Sequence, residues 1–223
     1  MNPPHAELAS QCITLLAAGM LVIQLLMVVQ RMLLTNIRLF ALQSLMLTGI
    51  AAIVAFSHNN ATHVYWVACL TLVGKVFFLP WLLNRQVRRT QMEQEIAPLL
   101  NASASMLLCG AFTLLGYIVA RPFTSLARLG NNTLGVAVTL LLTGFFLMIN
   151  RRKAITQVLA LLTVENGVML AAIALTTYGM PLVVELGIFF DLMVAVMVLG
   201  ILVYRIRESF ASMDVSKLNQ LKG

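Results

Sequence analysis

From residue 8 to residue 204 the chain alternates between long apolar runs and short polar or basic interruptions. An α-helix needs about 20 apolar residues to cross a hydrocarbon core. The pattern therefore predicts seven membrane spans, at about 8–30, 39–57, 64–84, 99–120, 133–150, 155–178 and 183–204. The interruptions are RMLLTNIR, HNNATH, RQVRRTQMEQEIAP, RPFTSLARLGNN, NRRK and YGMP. They supply the turn residues and charges expected at helix ends. The predicted fold class is all-α, a polytopic membrane helix bundle of about seven transmembrane helices. The leading MNPPHAEL has no basic stretch, and no clear small-residue cleavage site follows, so the first span reads as retained rather than as a signal peptide.

Composition sharpens this picture. Of 223 residues, 60% are hydrophobic and 10% are Asp, Glu, Lys or Arg, against about 25% charged in soluble domains. The net charge of +7 would suit a nucleic-acid binder, but its distribution argues against one. One set of loops and the C-terminal tail carry Arg31, Arg38, Arg85, Arg88, Arg89, Arg151, Arg152, Lys153, Arg205, Arg207, Lys217 and Lys222. The other set carries only Arg121 and Arg128. Basic residues gather on the cytoplasmic side of membrane proteins, which predicts the N-terminus outside, the C-terminus cytoplasmic, and no nucleic-acid partner. Cys12, Cys69 and Cys109 are each isolated in apolar runs, and His5, His58 and His63 form no helix-spaced pair. The spacing gives no expectation of a zinc site, an iron–sulfur cluster or haem, hence no cofactor and no redox site on this chain.

Four ionisable residues break the apolar runs: Lys75 in YWVACLTLVGKVFFLPWLL, Glu165 in VLALLTVENGVMLAAIAL, and Glu185 and Asp191 in LVVELGIFFDLMVAVMVLG. Each costs about 2.5–3.5 kcal/mol at mid-membrane on insertion scales. A helical rise of 1.5 Å puts Lys75 roughly 14 Å and Glu165 roughly 15 Å from the inner edge, with Asp191 at roughly 20 Å and Glu185 at roughly 28 Å. Lys75 and Glu165 thus share a level, and the other two step outward. Glu185 and Asp191 are about 9 Å apart along the axis and about 240° around it, so they do not share one narrow groove. Burial penalises the charged form and a nearby opposite charge favours it, so such groups can serve as proton relay stations. The alternatives are a static Lys75–Glu165 pair that locks two helices, and a Glu185 solvated at the outer edge. Gln43 and Asn166 are supporting polar groups, and Gly167 lets water or a neighbouring helix come close. Pro80 predicts a kink and Trp81 an interface anchor. A faint parallel repeat relates spans one to three with five to seven: a plain apolar helix, a helix with Gln43 or Glu165 midway, then one with Lys75 or Asp191.

The last ninety or so residues resemble the three-helix K-type subunit of respiratory complex I. The resemblance rests on Arg151 and Arg152 ahead of a helix with a central Glu165, then Asp191 in the next helix, Arg205 and Arg207 at its end, and the closing DVSKLNQLKG. That family has Glu where Asp191 stands. Nearly the whole chain resembles hydrogenase-4 component E, a membrane subunit of formate hydrogenlyase-type complexes, through GKVFFLPWLL, ENG, VELGIFFDLMVAVMV and the tail. The resemblance implies a four-helix region at 1–132, a K-type-like region at 133–204 and a cytoplasmic tail at 205–223. It also implies a place in the cell inner membrane beside antiporter-like subunits, with a soluble nickel–iron hydrogenase arm carried by other chains. The expected function is a proton-translocation subunit using Lys75, Glu165, Asp191 and Glu185. The alternatives are a structural subunit that conducts nothing and a stand-alone transporter.

Overall fold

The computed structural model describes residues 3–57, 72–90, 98–123 and 131–175, together with Gly187 and Val194. Helix α1 covers Pro3–Val29 and α2 Leu33–Ser57. A π-helix, Leu72–Phe78, runs directly into α3, Leu79–Thr90. Then come α4, Ala102–Ala120, a short 3₁₀ turn at Arg121–Phe123, α5, Asn131–Asn150, and α6, Ala154–Leu175. The described residues form an all-α bundle. Five of these helices, α1, α2, α4, α5 and α6, are long and apolar enough to cross a membrane. Most of span seven, with Glu185 and Asp191, and the tail at 205–223 lie outside the described residues, as do 64–71 of span three.

Two boundaries differ by six residues from the sequence pattern. Helix α2 starts at Leu33, six residues ahead of the expected 39, because Arg38 sits within the helix on an exposed position instead of ending it. Helix α3 continues to Thr90, since Leu79, Leu83 and Val87 keep one buried stripe going past the expected end at 84. The π-helix has a local cause. Pro80 has no N–H, so the carbonyl of Val76 loses its α-helical donor. A local π adjustment, which here ends at Phe78 just ahead of Pro80, is one of the ways a membrane helix accommodates such a gap.

Helix α6 is the most buried of the five membrane-length helices. Of its span, 72% is buried inside the bundle, against 17% for the peripheral α4. It packs on α5 most extensively and on α2, while α1 packs on α2 and α5. Two large apolar cores result. One joins Ile13, Ala17 and Met20 of α1, Leu47, Ile50 and Val54 of α2, Leu140 of α5 and Leu170 and Ile173 of α6. The other joins Ile23 and Met27, Leu33, Ile37 and Phe40, Leu79, Leu83 and Val87, and Val158, Leu159 and Leu162, with Val194. On α2 and α6 the buried residues between these sets include Gln43, Ser44, Glu165 and Asn166, and these form the layer described below.

One end of the bundle is tied by Asn150 and Arg151. Asn150 accepts the Leu99 N–H at its carbonyl (3.1 Å) and the Leu100 N–H at Oδ1 (2.9 Å), and its Nδ2 donates to Ser105 Oγ (3.3 Å). This fastens the start of α4 to the end of α5. Arg151 is buried, and its Nη2 donates to the carbonyls of Met27 (2.8 Å), Val28 (3.0 Å) and Gln30 (2.9 Å). These belong to the unserved C-terminal carbonyls of α1, where the helix dipole also favours a cation. Arg152, one residue on, is exposed. Replacing Arg151 by Ala is expected to cost about 3 kcal/mol of stability, while Arg152→Ala stays within about 0.5 kcal/mol. Unfolding of the full chain in mixed micelles measures both; equal effects would contradict the capping role.

Candidate functional site

Glu165 and Asn166 lie at the middle of α6, and Gln43 and Ser44 at the middle of α2. Lys75 is the fourth residue of the π-helix. Lys75 Nζ lies 2.7 Å from Glu165 Oε1, with the two side chains 1% and 2% exposed. The contact is an ion pair by distance rather than an aligned hydrogen bond. The π-helix bears on this geometry, because it turns by less per residue than an α-helix and re-aims everything before Pro80. Lys75 and Glu165, placed at one level by the helical rise, are thus brought together.

An amide chain adjoins the pair. Asn166 Nδ2 donates to Gln43 Oε1 (3.2 Å) and to Ser44 Oγ (3.1 Å). Gln43 Nε2 in turn donates to Gln24 Oε1 (3.0 Å) and to the Met20 carbonyl (3.3 Å). Gln24, Gln43, Ser44 and Asn166 are all at most 1% exposed. The chain ends on a donor, Gln24 Nε2, and on an acceptor, Asn166 Oδ1, which meet no partner among the described residues. Polar groups from α1, α2, the π-helix and α6 therefore make one layer between the two apolar cores. Helix α1 is not the plain apolar helix that the pattern predicts, since Gln24 brings it into this layer.

Gly167 completes the setting. A Cβ there would stand 3.1 Å from Leu140 Cβ, 3.1 Å from the Leu141 nitrogen and 3.2 Å from the Ala137 carbonyl. Of the two roles open to Gly167, close approach of a helix is the one the structure uses: α5 backs onto α6 here and leaves Glu165 and Asn166 to the α2 and π-helix side. The buried threonines are satisfied within their own helices. Thr163 donates to Ala160 (2.7 Å), Thr139 to Gly135 (2.8 Å) and Thr143 to Thr139 (2.7 Å). They take no bond from the amide chain.

Of the residues expected to carry chemistry, Lys75, Glu165, Gln43 and Asn166 fall in one layer, while Glu185 and Asp191 lie outside the described residues. Gln24, Ser44 and Arg151 were not anticipated. The lone Gln in LVIQLLM was a legible signal for Gln24. Nothing in RRK distinguishes the buried Arg151 from the exposed Arg152. Among the described residues no three His, Cys, Asp or Glu side chains gather as a metal site requires.

Comparison with known proteins bears on the whole chain. The protein Rv0085 of Mycobacterium tuberculosis is 32% identical over 208 residues, 92% of this chain and 94% of that one. The chain belongs to the family of Rv0085. Hydrogenase-4 component E of Escherichia coli K12 is 28% identical over 185 residues, 82% of this chain and 85% of its own, and the same figures hold for the Shigella flexneri protein. The chain is thus also a homologue of hydrogenase-4 component E, as its motifs suggest. No family model and no solved structure matches it. With five membrane-length helices, this homologue is a multi-pass membrane protein.

The pair can be tested by its energetics. Removing one member of a buried ion pair strands the other, at about 3–5 kcal/mol, whereas replacing both by apolar groups is often close to neutral. Lys75→Met and Glu165→Leu are each expected to destabilise the chain by that order, and the double variant by less than either. Unfolding in mixed micelles gives the cycle; additive losses would show that the two charges do not interact.

Proposed function

We propose that this chain is an integral membrane subunit of a hydrogenase complex of the complex-I-like, formate hydrogenlyase type, and that its polar layer is part of a proton-translocation path. The observation that carries the reading is the Lys75–Glu165 pair at 2.7 Å, at the level of a buried amide chain inside an apolar bundle. A carboxylate and an ammonium in contact can exchange one proton with little net change in charge. That is the property a relay station needs where full charges are costly. The unpartnered ends at Gln24 Nε2 and Asn166 Oδ1 are places where water would join the chain, since an unmet buried polar atom costs about 1–3 kcal/mol. Glu185 and Asp191 continue the path outward in span seven. The N-terminus faces outside and the C-terminus the cytoplasm of the inner membrane. Antiporter-like subunits flank the chain, and other subunits carry the soluble nickel–iron arm. Residues 1–132 form the four-helix region, 133–204 the K-type-like unit and 205–223 the docking tail.

A second reading is favoured by the burial itself. Side chains only 1% and 2% exposed suit a static tie that joins the π-helix to α6 and holds the subunit's shape. The two readings separate on Glu165→Gln, which keeps size and hydrogen bonding but removes the titrating group. Proton movement driven by the assembled complex in vesicles is expected to fall by about tenfold, in the range for loss of one acid–base group. Blue-native electrophoresis is expected to show the complex intact. Normal proton movement in an intact complex would refute the relay, and loss of the complex would favour the tie.

A further inference from the structure

The outward side of α3 plays no part in the polar layer, yet it is ordered in a specific way. Leu79, Leu83 and Val87 face α2 and α6. On the opposite stripe stand Trp81, Arg85 and Arg88, all exposed, at the four- and three-residue steps that share a helix face. Ahead of them, Phe77 and Phe78 are 64% and 52% exposed, and Trp81 is 55% exposed. The Phe78 and Trp81 rings lie 6.4 Å apart, and the Arg85 guanidinium sits over the Trp81 ring at 5.4 Å from its centroid. Along the axis the order is therefore aromatic, aromatic, then two cations about 6 Å and about 10 Å beyond Trp81.

Depth gives this order a meaning. Lys75, in the buried layer, precedes Arg85 by ten residues, which is about 15 Å of helix, or half a hydrocarbon core about 30 Å thick. Arg85 and Arg88 thus stand where lipid phosphates stand, with the rings at acyl depth beneath. Arg31, just ahead of α2, and Arg38 within it, also exposed, lie at the same end. Among the described residues the only carboxylates are Glu7 and Glu165, and neither is at this end. Glu93 and Glu95 follow α3 in the sequence, outside the described residues.

We propose that the Trp81–Arg85–Arg88 stripe of α3 is a binding site for one anionic phospholipid, its phosphate held by the two guanidiniums and an acyl chain lying on Phe77, Phe78 and Trp81. An acidic protein surface would satisfy the arginines but not the rings in that order; an amphiphile satisfies both. Stacking on Trp81 fixes the plane of the Arg85 fork, which favours a phosphate over a diffuse counter-ion cloud.

The test uses the full chain in bilayers. The sequence has two tryptophans, Trp66 and Trp81, so a Trp66→Phe background leaves Trp81 as the reporter. Bromine-labelled phosphatidylglycerol and phosphatidylcholine are compared as quenchers at equal mole fraction. Phosphatidylglycerol is expected to be enriched at Trp81 by about fivefold. Arg85→Gln with Arg88→Gln is expected to abolish the preference, and Arg121→Gln, a control elsewhere on the bundle, to leave it. Quenching in proportion to mole fraction, or a preference that survives the double substitution, overturns the proposal. In the assembled complex, a photo-crosslinker at Phe78 is expected to label lipid. Labelling of a neighbouring subunit would mean that a protein covers the stripe, which overturns it too.

Discussion

A hydrocarbon layer supplies no hydrogen bonds. Every polar atom that enters it must find its partner within protein or retained water, or bear a cost of several kcal/mol. The same layer removes the usual drive for helices to associate, since lipid tails are as apolar as leucine side chains. Polar groups therefore become the parts that specify how helices meet. In this bundle Gln24, Gln43, Ser44 and Asn166 are linked by hydrogen bonds and Lys75 pairs with Glu165, so the polar layer joins four chain segments. Apolar packing above and below them sets distance but leaves rotation and register loose; the polar layer fixes both.

This accounts for why structure and function are hard to separate at Lys75 and Glu165. The contact that shields two charges from lipid is also the one that brings a proton donor beside an acceptor. The π-helix belongs to the same arrangement. It ends just ahead of Pro80, which has no N–H to give to the Val76 carbonyl, and it sets where Lys75 points. A proline read simply as a kink thus acts on the polar layer from a distance in sequence.

Much of the architecture was legible because membrane spans are written in composition over about 20 residues, a long and redundant signal. The shared level of Lys75 and Glu165 followed from helical rise alone. Contacts were less legible. That Gln43 meets both Gln24 and Asn166 depends on helix rotation, for which an all-apolar background leaves no periodic stripe to read. Arg151 and Arg152 are chemically identical, and only the arrival of α1's last turn separates them. The start of α2 and the end of α3 shifted because an arginine within a helix can reach the headgroup region without ending it.

The bond from Arg151 to the end of α1 joins residues 124 and 121 positions apart. The ribosome therefore completes α1 long before its cap exists. Until then the carbonyls of Met27, Val28 and Gln30 lack the guanidinium that serves them in the finished bundle. Emergence of the α5–α6 hairpin then supplies the guanidinium and sets α1 in its final place.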